Sequence, residues 1–184
     1  MHNFVKTTGA VFLAASVFLS VGCSAGEEQS AVHTDREKNV QQEKFPAFQT
    51  KDLAGNTVTQ DIFKQKKVTV VNIWGTFCPP CIGEMPELGS WTRQMPADAQ
   101  LIGIVCDARG TGDKETIAKA VKITSEAKAD FVNLLPSEEL MKYLEKVEAV
   151  PTTIFVDAEG NILGEAVVGA NVPQYQERLA GYLK

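Results

Sequence analysis

The chain has 184 residues, of which 44% are hydrophobic and 22% are charged, and its formal net charge is -5. A chain of this length and composition supports one domain with an ordinary hydrophobic core. The negative charge and the scattered Lys and Arg residues argue against a nucleic-acid partner, and we expect none. Both histidines, His2 and His33, precede the predicted domain, so the domain has no imidazole for catalysis or metal binding.

Residues 1–22 are typical of an export signal, because a short region with one lysine precedes an apolar run that is too short to span a membrane. The run ends in Leu-Ser-Val-Gly-Cys at Cys23, which resembles the lipobox of bacterial lipoproteins. This resemblance implies that Cys23 carries a diacylglycerol anchor, although Ser20 stands where leucine is usual. The alternative is plain secretion, with cleavage after Ala25 and no lipid.

Residues 23–44 are polar and lack apolar periodicity, which predicts a flexible tether between the anchor and a domain at 45–184. The first half of the domain is predicted to contain a β-hairpin around the Gly55-Asn56 turn, a buried strand at 68–74, a helix at 79–94 kinked by Pro86, and a strand at 101–105. A helix at 114–127, a strand at 131–135 and a helix at 137–144 capped by Ser137 are predicted to follow. The last predicted elements are a hairpin of strands 152–156 and 162–168 and a helix at 172–183 capped by Asn171.

Cys78 and Cys81 lie at the junction between the predicted strand 68–74 and the helix that follows it. Such a pair can bind a metal, form a structural disulfide or act as a redox couple. A metal site requires a second pair of ligands, which the sequence lacks. A structural bridge that closes so short a loop removes little chain entropy, so the redox couple is favoured.

The position of the two cysteines at the helix N-terminus also predicts which thiol is the nucleophile and which resolves the mixed disulfide. Unpaired backbone N–H groups at that end favour a thiolate on Cys78, which makes it the nucleophile. Cys81, one turn further along, is expected to be more buried and to resolve the mixed disulfide. Glu84 shares a helix face with Cys81 and is expected to exchange a proton with it, unless it is an ordinary solvated acid.

The Cys78-Pro-Pro-Cys81 motif, together with Trp74, Pro86 and Val150-Pro151, resembles the active site of the thioredoxin superfamily. Within that superfamily it is most similar to the extracytoplasmic TlpA/ResA-like thiol–disulfide oxidoreductases, over essentially all of residues 45–184. The resemblance implies an α/β fold of three layers, α/β/α, with a mixed central sheet, an N-terminal β-hairpin and an inserted helix and strand. It also implies that Pro151 is a cis-proline facing the dithiol.

The same resemblance implies that substrate is bound by Trp74, Phe77, Val150 and Pro151, and that Glu84 is the acid of the ResA-like branch. Asn72 stands where cytoplasmic thioredoxins have a buried aspartate, which strengthens the expected role of Glu84.

Cys106 follows the strand at 101–105 and is expected to be a small buried hydrophobic residue; a second redox role or pairing between chains is the alternative. We expect its neighbour Asp107 to be loop surface.

These features predict a lipid-anchored thiol–disulfide oxidoreductase on the outer face of the cytoplasmic membrane, and the outer membrane is the alternative in a two-membrane cell. By resemblance, it is a monomer that reduces disulfides of exported proteins, apocytochrome c among them, and takes electrons from a membrane thiol carrier of the CcdA or DsbD type. We expect no metal, and no cofactor besides the Cys78–Cys81 disulfide. The alternatives are a disulfide-forming oxidase or isomerase, and a non-catalytic copper-binding or protein-binding module, against which the lack of histidine counts.

Overall fold

The computed structural model describes residues 43–184. Its elements are β1 (Gln49–Lys51), β2 (Thr57–Thr59), a 3-10 helix (Gln60–Gln65), β3 (Val68–Trp74), α1 (Pro79–Thr92), β4 (Ala99–Val105), α2 (Lys114–Glu126), β5 (Asn133–Leu134), α3 (Glu138–Leu144), β6 (Thr152–Asp157), β7 (Val167–Val168) and α4 (Val172–Tyr182). The predicted export signal, the lipid site at Cys23 and nearly all of the predicted tether lie outside the described residues.

A five-stranded sheet in the order β5-β4-β3-β6-β7 forms the middle of the domain. β3 is its central strand, and all seven of its residues are buried, as its apolar and β-branched sequence predicts. It runs parallel to β4 and antiparallel to β6, so the sheet is mixed. The N-terminal hairpin of β1 and β2 forms a separate two-stranded sheet. The predicted fold class is confirmed.

Successive side chains of β3 enter two different cores, because side chains alternate between the faces of a sheet. Val70 and Trp74 belong to the core that contains residues of α1 and α4. Val71 and Ile73 belong to the core formed with the 3-10 helix and α3. By this alternation, Asn72 shares the α1 and α4 face with Trp74, which places a polar side chain beneath the first turns of α1.

Three local details differ from the sequence prediction. The 3-10 helix was not predicted, and the side chain of Thr59 caps it by accepting a hydrogen bond from the Asp61 amide. The last strand is only β7 instead of residues 162–168, because Gly164 adopts a left-handed conformation, with φ of 64°, that interrupts an extended chain. Ordered pairing also begins before residue 45, since the Glu43 carbonyl accepts a hydrogen bond from the Ile162 amide.

Within residues 43–184, no helix has the length and the apolar character required to cross a membrane.

Candidate active site

The end of β3 and the start of α1 place the two cysteines. Cys78 is the N-cap of α1, and Pro79 occupies the first turn, where a missing N–H breaks no helical hydrogen bond. Cys78 and Cys81 form a disulfide with a Cα–Cα distance of 5.3 Å. The Cys81 amide points at Cys78 Sγ from 3.3 Å, so a thiolate at that position would accept a hydrogen bond from the helix N-terminus.

Both sulfur-bearing residues are buried in this oxidised state, Cys78 with 4% and Cys81 with 0% of its surface exposed. Cys81 is therefore more buried than Cys78, as predicted, although the difference in exposed surface is small.

The loop between β3 and Cys78 is fastened to the end of β4 by Asp107. Its carboxylate accepts hydrogen bonds from the Thr76 amide at 3.0 Å and from the Thr76 hydroxyl at 2.6 Å. Asp107 is therefore not the plain loop surface expected from the sequence, because it makes this contact. The ends of the two strands indicate this contact. Trp74 at the end of β3 pairs with Val105 at the end of β4, and Thr76 and Asp107 each lie two residues further along the chain.

Phe77 is the exposed aromatic residue of this loop, with 67% of its surface accessible. Its ring lies over Gly75 so closely that a Cβ atom at position 75 would come within 2.6 Å of it. The glycine therefore sets where the Phe77 ring lies beside the dithiol.

Val150 lies against the dithiol, although it follows Cys78 by 72 positions in the sequence. The Val150–Pro151 peptide bond is cis, as the resemblance implies. The carbonyl oxygen of Val150 is 3.5 Å from Cys78 Sγ. Val150 is half-buried and Pro151 is buried. The segment before β6 thus provides the backbone next to the Cys78 sulfur.

Glu84, three residues after Cys81 on α1, is buried, with 5% of its surface exposed, so it is not a solvated surface acid. Asn72 Nδ2 donates a hydrogen bond to Glu84 Oε1 at 2.9 Å, and the Tyr175 hydroxyl lies 3.0 Å from Oε2. Burial raises the pKa of Glu84, the hydrogen bonds of Asn72 and Tyr175 lower it by less, and the charge of Glu87 raises it further. The net direction is upward, so Glu84 holds a proton more tightly than an exposed glutamate does.

Asn72 also donates to Thr153 Oγ1 at 3.1 Å, and its Oδ1 has no hydrogen-bond partner among the described residues. Neither Thr153 nor Tyr175 is predicted from the sequence as part of this site. Tyr175 fits the apolar repeat of α4, and nothing in its local pattern distinguishes it from a core residue.

Trp74 is fully buried, and its Nε1 donates to Asn133 Oδ1 at 2.9 Å. The expectation that Trp74 contacts substrate is wrong for this structure, because the ring has no accessible surface. Its indole N–H instead links β3 to β5 across β4, next to Gly103, where a side chain would overlap Asn133.

A groove of about 610 Å³ opens beside Cys78. We call it the active-site groove, and it is lined by Phe77, Cys78, Pro79, Pro80, Cys106, Asp107, Leu144, Val147, Glu148, Ala149 and Val150. Two of the predicted substrate residues, Phe77 and Val150, lie in its wall.

Cys106 lines the same groove and is half-buried. Burial, and secondarily the charge of Asp107, raises the pKa of Cys106 to about 11. At neutral pH this thiol stays protonated and is a weak nucleophile. In the part of the chain that the structure describes, no group of three or more His, Cys, Asp or Glu side chains is placed to hold a metal ion.

Known proteins match the chain over the region that carries this site. The family described as Redoxin matches residues 41–179. The chain belongs to the Redoxin family. This redoxin is similar to the thiol-disulfide oxidoreductase ResA of Bacillus thuringiensis, with 26% identity over 151 residues that cover 82% of this chain and 80% of the relative. It is also similar to the thiol:disulfide interchange protein DsbE of Vibrio cholerae, with 28% identity over 138 residues, 73% of this chain and 69% of that protein.

The fold of the redoxin is similar to a crystal structure of a thioredoxin-family thiol:disulfide interchange protein from Chlorobium tepidum, with a TM-score of 0.64. The two sequences are 19% identical, and the match covers 78% of this chain and 97% of the other. At this identity the likeness concerns the fold. Together with the family match, the relatives confirm that the redoxin is a thioredoxin-superfamily protein of the ResA/TlpA-like type and a thiol–disulfide oxidoreductase.

Proposed function

We propose that this redoxin reduces disulfide bonds of exported proteins, with Cys78 as the nucleophile and Cys81 as the resolving thiol. The position of Cys78, which caps α1 and has the Cys81 amide 3.3 Å from its sulfur, carries the choice of nucleophile, and the direction of electron flow is proposed from the resemblance to ResA-like proteins. Backbone N–H groups at a helix N-terminus stabilise a thiolate, and the thiolate is the form that attacks a disulfide.

The reaction begins when the Cys78 thiolate attacks one sulfur of the substrate disulfide. A Cys78–substrate disulfide forms, and the other substrate sulfur leaves as a thiolate. Cys81 then gives its proton to the Glu84 carboxylate, and its sulfur attacks Cys78 Sγ. The Cys78–Cys81 bond forms, the second substrate thiolate leaves, and two electrons have passed from the protein to the substrate.

The active-site groove supports binding of an extended segment of the substrate. Its wall offers the exposed ring of Phe77 and the backbone of Val150, next to the cis-proline. An extended peptide can pair with such a backbone segment through main-chain hydrogen bonds and place its own cysteine over Cys78. Trp74 has no part in this contact.

The setting of the reaction is proposed from the sequence before the domain. The export signal at 1–22 and the lipobox at Cys23 support a lipid anchor outside the cytoplasmic membrane. There a membrane thiol carrier of the CcdA or DsbD type would reduce the Cys78–Cys81 disulfide again, so that no further cofactor is needed. Apocytochrome c, whose cysteines later receive haem, is the substrate that the resemblance favours.

A disulfide-forming oxidase is the second candidate. The contact between the Cys81 amide and Cys78 Sγ favours it, because stabilising the thiolate stabilises the reduced protein and makes the disulfide more oxidising. The two candidates differ in the direction of electron flow and share every other step.

The reduction potential of the Cys78–Cys81 pair decides between them. We expect a value near that of thioredoxin, about -270 mV, and a value near that of DsbA, about -120 mV, would reverse the direction. Cys81→Ser should then trap the substrate as a mixed disulfide on Cys78, visible on a non-reducing gel and identified by mass spectrometry. Cys78→Ser is the matched control, and it should trap nothing.

A further inference from the structure

The Tyr175 hydroxyl has more hydrogen-bond contacts than a single proton can serve. It lies 2.6 Å from the Gly169 carbonyl oxygen and 3.0 Å from Glu84 Oε2, and it accepts a hydrogen bond from the Asn171 amide at 3.2 Å. A phenol donates one proton, and a carbonyl oxygen can only accept. Because the contact with Gly169 is the shorter one, the Tyr175 proton is directed there. The contact with Glu84 is then a hydrogen bond only if Glu84 provides the proton.

The other oxygen of Glu84 supports this assignment. Oε1 accepts from Asn72 Nδ2, whose remaining N–H is directed at Thr153 Oγ1. A proton on Oε1 would oppose the Asn72 N–H, whereas a proton on Oε2 faces the lone pairs of the Tyr175 oxygen. Burial also raises the pKa of Tyr175, so its hydroxyl keeps its own proton.

The groups that face Glu84 from the packed elements are neutral. They are Asn72 on β3 and Tyr175 on α4, whereas Glu87 on the same helix provides a negative charge. Thr153 on β6 contacts both Asn72 and Tyr175 and is also neutral. The described surroundings therefore place no cation against this carboxyl, and its charge depends on hydrogen-bond donors.

We propose that Tyr175 is a positioning residue that holds the proton of Glu84 on Oε2 while the Cys78–Cys81 disulfide is formed, and that its hydroxyl turns from the Gly169 carbonyl to Oε2 when Glu84 loses that proton. This inference rests on the proposed function, in which Glu84 takes the proton of Cys81. In that step the Cys81 S–H bond breaks and the Glu84 O–H bond forms. When the disulfide is reduced again, the same proton returns to the Cys81 sulfur.

Tyr175 matters most for the ionised form of Glu84. A buried carboxylate loses a donor when the hydroxyl is removed, whereas a neutral carboxyl loses only a partner for its own O–H, and hydrogen bonds to charged groups are the stronger. Tyr175→Phe is therefore expected to raise the midpoint of the Glu84 titration by about one pH unit, which is about tenfold in proton affinity.

Infrared spectroscopy of the oxidised, full-length protein measures this directly and needs no substrate. The C=O band of a protonated carboxylic acid that disappears in Glu84→Gln belongs to Glu84. We expect this band in the wild type and expect it to titrate at higher pH in Tyr175→Phe. Tyr182→Phe is the matched control, because it removes a hydroxyl from the same helix at a ring that packs on Phe155, and its titration should equal that of the wild type. An equal midpoint in wild type and Tyr175→Phe would overturn the proposal.

A second measurement covers the case in which Tyr175→Phe does not fold. In wild-type protein labelled with ¹³C in its tyrosine rings, a tyrosine C–O band should shift as Glu84 titrates, and the shift should persist in Tyr182→Phe. Tyrosine bands that stay constant across the Glu84 titration would also overturn the proposal. Because both spectra are taken without turnover, failure of the disulfide reductase assay counts against the proposed function alone.

Discussion

Replacing Glu84 with glutamine separates the effect of this buried carboxyl on stability from its effect on activity. The glutamine amide keeps the shape of the side chain, accepts from Asn72 through Oε1 and can donate to the Tyr175 oxygen through Nε2, as a protonated Glu84 would. It carries no proton that titrates, and it cannot receive one from Cys81. We therefore expect the variant to gain stability at neutral pH and to lose activity.

The stability effect follows from the direction of the pKa shift. Burial raises the pKa of Glu84 in the folded state above its ordinary value of 4.5, so the folded state holds the proton more tightly than the unfolded state. The free energy of unfolding is then highest below the unfolded pKa and decreases as the pH rises from there through the folded pKa. Each unit by which the pKa of Glu84 is raised lowers the free energy of unfolding above that pH window by about 1.4 kcal/mol. Glu84→Gln does not lose this stability, because its amide does not ionise.

Urea unfolding of the oxidised proteins at a series of pH values measures this difference. The stability of Glu84→Gln relative to wild type should be smallest at acid pH, increase through the window and then remain constant. For activity, we expect resolution of a Cys78–glutathione mixed disulfide to be slower by about 10²-fold or more at neutral pH, the usual size of a general-base effect, when followed by stopped-flow. A pH-independent stability difference together with an unchanged resolution rate would refute the reasoning.

Two further predictions concern packing and thiol reactivity. In α1, Gly89→Ala should lower the free energy of unfolding by about 1–3 kcal/mol, because its Cβ would lie 2.5 Å from a backbone oxygen of the loop after α2. The control is Gly83→Ala in the same helix, where a Cβ would meet no atom within 4 Å beyond its chain neighbours and the helix backbone, and it should raise the free energy of unfolding by about 0.5–1 kcal/mol. Equal effects in urea unfolding would contradict this packing. Cys106, with its pKa raised to about 11, should react with iodoacetamide at pH 8 about a hundredfold more slowly than an ordinary thiol, measured by peptide mapping of the oxidised protein, with the urea-unfolded protein as control. Equal rates in the folded and unfolded protein would contradict its burial.

The sequence by itself was sufficient for the features that depend on neighbouring residues. A β-branched run followed by Cys78, two prolines and Cys81 predicts a buried strand, a turn and a helix, because strand and helix formation and capping are local. The side-chain cap of Ser137 on α3 was predicted in the same way and is observed. The cis bond before Pro151 was implied by the family resemblance, since local composition alone favours a trans bond.

Only the tertiary structure decided which side chains meet. Glu84 finds one partner 12 residues away on β3 and another 91 residues away on α4, and no local pattern links Asn72 or Tyr175 to it. The same holds for Trp74, whose place beside the motif suggested contact with substrate until the sheet showed it enclosed against Asn133. Local chemistry therefore determined that this protein carries a redox dithiol, whereas the surroundings of Glu84, its proposed proton partner, depend on long-range packing. The physical reason is that burial and hydrogen bonding, which set the pKa of a carboxyl, come from whichever elements the fold brings against it.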